Sequence, residues 1–271
     1  MSDAADLHAH RHPGQHRECL RRRAPALATA GILALTVAVA AQLSGILAGL
    51  EQQTVSARFA LRGAERPGDV VVVGIDDRSF SALDRRWPFP RSLHGRLVSR
   101  LHADGARQIV YDVQFTEPTA PAQDMALYDA IGHAGGAILT TSESDGHGHT
   151  NVLGGDANLA AVGARAAAAN LTNDSTGVIT RFPYAVGGLR SVAVVSAERS
   201  PARHLSPALF GTRGALIDYR GGAGTVPTVS FSDVLDGRVS PSTFRGKVVV
   251  VGAVAPTLAM STPLPWGAAS L

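Results

Sequence analysis

A chain of 271 residues has room for one large domain or two small ones, and 45% apolar content argues against disorder. Its 25 basic residues, all Arg except Lys247, exceed the 22 acidic ones by +3; beyond residue 50 the signs balance at 20 against 19, which leaves no basic stripe for nucleic acid. Cys19 is the only cysteine, which excludes a disulfide framework and a thiolate metal site.

Residues 1–23 read as a polar, basic tail. His8, His10, His12 and His16 lie there among Pro and Gly, a pattern that reads as disordered rather than metal-binding. From Ala24 to Leu50 run 27 residues without an ionisable side chain. A membrane-spanning helix needs about 20, so residues 24–50 are expected to cross the bilayer. Arg17, Arg21, Arg22 and Arg23 precede the run, and the positive-inside rule puts that flank in the cytosol and residues 51–271 outside. A cleaved signal peptide is the competing reading, with Ala38-Val39-Ala40 as the cleavage site. The apolar run continues ten residues past Ala40, longer than a cleaved signal needs, which favours a retained anchor. Gly45-x-x-x-Gly49 offers a small-residue face, so a homodimer is considered.

After the membrane segment, residues 51–66 continue as a helix until Pro67-Gly68 stops it. Val70–Ile75 is Val-rich and ends in Asp76 and Asp77, the mark of a buried parallel strand. Leu93, Leu97, Val98 and Leu101 share one helical face, and Gly105 ends that helix. Residues 108–115 form a second strand, 124–134 a helix, 137–142 a third strand, and 145–155 a Gly-rich loop. Small apolar residues at 158–169 predict a helix and 177–186 an antiparallel edge strand. A short helix over 192–198, a strand over 215–221, a helical turn over 230–235 and a last buried strand over 247–254 follow. Alternating strands and helices predict an α/β domain whose mostly parallel sheet is flanked by helices.

In such a sheet ligands bind beyond the carboxyl ends of the strands. Asp76, Asp77 and Asp112 stand at those ends and are candidate ligand-facing residues; the alternative is that they cap the next helix or turn. Trp87-Pro88-Phe89-Pro90-Arg91 is the densest local signal, so Trp87 and Arg91 join the candidates as part of a lid, a partner surface or the packing at the rim of the sheet. No nucleophile elbow, zinc-protease motif, Walker loop or dinucleotide fingerprint stands in the right context, and catalytic residues, metal and cofactor are expected to be none. His147-Gly148-His149 with Asp145 reads as a solvated loop. Two other functions are weighed beside sensing. One is a metal-dependent hydrolase using Asp76 and Asp112; the other is a membrane scaffold binding through the Trp87–Pro90 segment.

The ordered segments VVVVGIDDRSF, RWPFPR, LHADGARQIVYDVQFTEP and FRGKVVVVGAV resemble the second type of CHASE domain over roughly Ser56 to Leu264. Ser175 and Thr176 depart from the Asp-x-Asp-Gly-x-x-Arg segment of that family. The resemblance implies an extracytoplasmic sensor of a bacterial receptor, coupled to a nucleotide cyclase or a protein kinase such as a two-component histidine kinase. Its partners would then be the membrane and a small-molecule or protein stimulus. No further membrane helix or output domain follows STPLPWGAASL, so a fragment, a truncated gene or a stand-alone sensor is expected.

Overall fold

The runs VVVVGI and VVVVGA form the centre of a parallel sheet. Strand β1 (Val70–Ile75) and strand β10 (Val248–Ala253) pair in register, Gly74 opposite Gly252. The computed structural model describes residues 25, 28–40, 63–171, 179–200 and 204–254. Four more strands complete the sheet: β2 (Gln108–Asp112), β3 (Ile138–Thr141), β4 (Arg165–Ala168) and β9 (Thr228–Ser230). Their order is β4-β3-β2-β10-β1-β9 and every pairing is parallel. The last strand therefore lies between the first two. Two short antiparallel pairs stand outside the sheet: β5 (Arg181–Phe182) with β8 (Ala215–Leu216), and β6 (Ala185–Val186) with β7 (Leu189–Arg190).

Successive strand residues face opposite sides, and the two sides are packed differently. Val71, Val73, Ile75, Ile109, Tyr111, Leu139, Val249 and Val251 belong to the main core. Over them lie α1 (Asp77–Leu83), α2 (Arg91–Ala103), α3 (Pro121–His133) and α6 (Phe231–Leu235), which contribute Leu97, Val98, Leu101, Leu127, Ile131 and Phe231. The buried positions of α2 recur every three or four residues, as an amphipathic helix requires. Gly95 lets α2 and α3 approach closely, because a Cβ there would lie 2.6 Å from the Ala126 carbonyl oxygen. On the opposite side Val110, Ile138 and Ala167 pack against Val195 of α5 (Val192–Glu198), and Val248 and Val250 are only half-buried.

Several expected boundaries move. The residues predicted as one helix at 158–169 split into α4 (Asp156–Ala161) and strand β4, whose alanines pair with β3. The second strand ends at Asp112 rather than 115, the 177–186 strand splits where described into the two-residue β5 and β6, and the 215–221 strand shrinks to the two residues of β8. Strand β9 precedes the expected turn at 230–235.

The chain divides into two compact units, Met1–Ala57 and Arg58–Leu271. In the first, residues 28–40 are helical with every side chain exposed, and the Thr36 hydroxyl donates to the Ile32 carbonyl at 2.8 Å. No helix among the described residues is long and apolar enough to cross a membrane. Positions 41–50 of the uncharged stretch and 51–62 of the helical continuation expected over 51–66 lie outside the described residues, as do the tail histidines, and residues 63–66 are irregular rather than helical.

Candidate functional site

A cleft of about 710 Å³ opens beyond the carboxyl ends of β2 and β3, within the size range of small-molecule sites. The loop after β2 supplies Phe115, Thr116, Glu117 and Pro118, and the loop after β3 supplies Asn151 and Leu153. Arg91, from the first turn of α2, and Asp124, Met125 and Tyr128 of α3 complete the wall. The Leu153 amide donates to the Phe115 carbonyl at 2.9 Å, which joins the two loops. Leu153 holds a left-handed φ of 53°, unusual for a γ-branched residue, and the Asn158 amide donates to its carbonyl at 2.8 Å.

Arg91 is the buried charge of this cleft. One guanidinium nitrogen lies 3.0 Å from Asp124 Oδ1, another donates to the Glu117 carbonyl, and the group sits 5.6 Å from the Phe115 ring centroid. Partial desolvation pushes the Asp124 carboxyl upward. The Thr119 hydroxyl and amide and the Arg91 guanidinium outweigh it, so its pKa lies below the ordinary value. The pair is therefore fully charged at neutral pH. Pro90, the N-cap of α2, has no side-chain acceptor; instead Gln123 Oε1 accepts from the Ser92 amide at 3.0 Å, tying α3 to the start of α2.

Behind Arg91 lies an aromatic cluster. Trp87 meets Phe89 and His94 at centroid distances of 5.7 and 6.2 Å, and His94 meets Tyr111, Phe115 and Phe231 at 5.4–5.5 Å. His94 Nδ1 lies 3.3 Å from the Tyr111 hydroxyl. Desolvation, helped by the charge of Arg91, lowers the His94 pKa to about 4, and burial raises that of Tyr111 well above its ordinary value. At neutral pH His94 is thus an uncharged packing residue.

The five candidates read from the sequence fall in three places. Arg91 lies in the cleft, and Trp87 is half-buried on the aromatic cluster behind it. Asp76 is the N-cap of α1: its Oδ1 accepts from the Ser79 amide at 2.8 Å, the Ser79 hydroxyl at 2.6 Å and the Ser230 hydroxyl at 2.8 Å. Asp77 is exposed in the first turn of the same helix. Asp112 ends β2, and its Oδ1 accepts from the Thr140 hydroxyl at 2.9 Å.

Asp76 and Asp112 are not brought into one pocket. Strand β10 runs between β1 and β2, which at about 4.8 Å per strand spacing separates their backbones by roughly 10 Å. Among the described residues no group of three or more His, Cys, Asp or Glu is arranged to hold a metal. In the Gly-rich loop Asp145 Oδ1 instead accepts from the amides of His147 and His149 at 2.8 and 3.1 Å. Sequence reasoning missed Glu117, Asp124 and Tyr128. The available signal was position, since Thr116-Glu117-Pro118 follows directly on the carboxyl end of a buried strand.

No curated protein and no solved structure matches the chain. The CHASE2 domain family does, over residues 32–270, a span that takes in the whole sheet and the cleft. That family comprises extracellular sensory domains of receptors, and sensing rather than catalysis is its role. With most of its length inside the match, the chain belongs to the CHASE2 domain family.

Proposed function

We propose that this chain is the outward-facing sensor of a membrane-bound receptor and that the Arg91 cleft receives its stimulus. The family match over residues 32–270 carries this reading. In it, residues 1–23 are a cytosolic tail, 24–50 a single transmembrane helix and 51–271 the extracytoplasmic domain. Two observations support the anchor. Residues 28–40 are helical and expose Ile32, Leu33, Leu35, Val37 and Val39, and the Thr36 hydroxyl is satisfied within the helix. Occupancy of the cleft would draw the β2 and β3 loops together across it, and the receptor would pass that change to a nucleotide cyclase or protein kinase output. Pairing through Gly45 and Gly49 would supply the dimer that a single helix needs for transmission.

Two fusions at residue 271 test the orientation. Alkaline phosphatase is expected to be active there and a cytosolic fluorescent reporter dark. The reverse pattern overturns the receptor reading.

A further inference from the structure

The charge in the cleft is unevenly spent, and the imbalance points to a ligand class. Arg91, Glu117 and Asp124 are the ionisable groups of its wall apart from the Tyr128 phenol. Arg91 and Asp124 compensate each other at 3.0 Å, and the second guanidinium contact goes to a backbone carbonyl. Asp124 is further held by the Thr119 amide at 2.9 Å. The Glu117 carboxylate, exposed on the wall of the cleft, forms no ion pair with any described residue. An incoming anion would have to displace Asp124 from Arg91 and would meet Glu117 as a like charge. An incoming cation meets an uncommitted carboxylate and disturbs nothing.

The remaining wall suits the body of such a ligand. Tyr128 presents a half-buried ring, Met125 is 52% exposed, and Pro118 and Leu153 add apolar surface. The Tyr128 ring lines the same cleft as the Glu117 carboxylate, and an aromatic ring attracts an ammonium group through its quadrupole as well as its apolar area. Asn151, exposed on the far loop, can hydrogen-bond a polar substituent.

Resting on the sensor reading above, we propose that the cleft binds a small organic cation, an amine or quaternary ammonium with an apolar body, paired with Glu117 and packed on Tyr128. The cation bridges the β2 loop and the wall formed by α3.

The full chain in lipid nanodiscs would be titrated by calorimetry with phenethylammonium and choline. Phenylacetate and the uncharged carbon isostere of choline serve as controls. At least one cation is expected to bind, with its control at least roughly tenfold weaker. Glu117→Gln, at an exposed position that the fold does not need, should weaken the cation by a similar factor, and Tyr128→Leu should weaken it further. Binding of a control as tight as its cation, or an unchanged affinity in Glu117→Gln, overturns the charge assignment while keeping the cleft as a ligand site. Absence of binding by both cations overturns the proposal, and the fusions at residue 271 still judge the outward-facing sensor on their own.

Discussion

The two faces of the sheet are built from the same residues and packed to different degrees. In both VVVVG runs the valines at 71, 73, 249 and 251 are 0% exposed beneath the helices, whereas Val70, Val72, Val248 and Val250, their immediate neighbours, are half-buried. The chemistry of the strands is therefore symmetrical, and what lies over them differs. Among the described residues α1, α2, α3, α4 and α6 cover one side, and α5 covers the β2–β4 part of the other. The cleft belongs to the helix-covered side through Arg91 and α3, so the site inherits the rigidity of the main core.

Four substitutions sharpen this contrast. The largest loss is expected from Leu97→Ala, which empties a fully buried position of α2 under the main core. A cost of about 3 kcal/mol, read by chemical denaturation, is the ordinary value for such a cavity. A loss below about 1 kcal/mol would mean that α2 is looser than its burial indicates.

A similar total is expected from acid. His94 has a folded-state pKa of about 4 against an ordinary 6.5. The unfolded chain takes up its proton first, so stability is complete above pH 6.5 and falls as the pH drops towards 4, by about 3 kcal/mol over the window. His94→Leu should flatten that slope. Asp124, whose pKa lies below 3.8, contributes only at more acid values and does not obscure the comparison. An equal acid slope in the parent and in His94→Leu would show that the imidazole is hydrated.

The smallest effect is expected on the other face. Val250→Thr is isosteric at a half-buried strand position and should cost below about 1 kcal/mol. The same exchange at Val251, 0% exposed, buries a hydroxyl in the main core and should cost at least twice as much. Equal costs at the two neighbours would erase the distinction between the faces.

How much of this was readable from sequence depends on whether the signal is local. Val70–Ile75, Gln108–Asp112 and Val248–Ala253 announce themselves because β-branched runs of that length have few other uses. Arg165–Ala168 does not: alanine is the best helix former, and only pairing with Ile138–Thr141 makes this segment a strand. The position of β10 between β1 and β2 is invisible in any local window, and it is also what keeps Asp76 and Asp112 apart. Arg91 could be singled out from its motif. Asp124 and Glu117, 33 and 26 residues further on, become its neighbours only once α3 docks on α2 through Gly95.

The central place of β10 has a consequence for biogenesis. Until residue 253 has been made, β1 with β9 and β2 with β3 and β4 are separate ribbons, each with an unpaired inner edge. Contacts between positions some 180 residues apart, such as Val71 with Val249, must form before either edge is sealed. An emerging polypeptide therefore presents two sticky margins until β10 slots in. Holdase chaperones would find their natural substrate in that interval, and products stalled short of residue 248 would clump rather than fold.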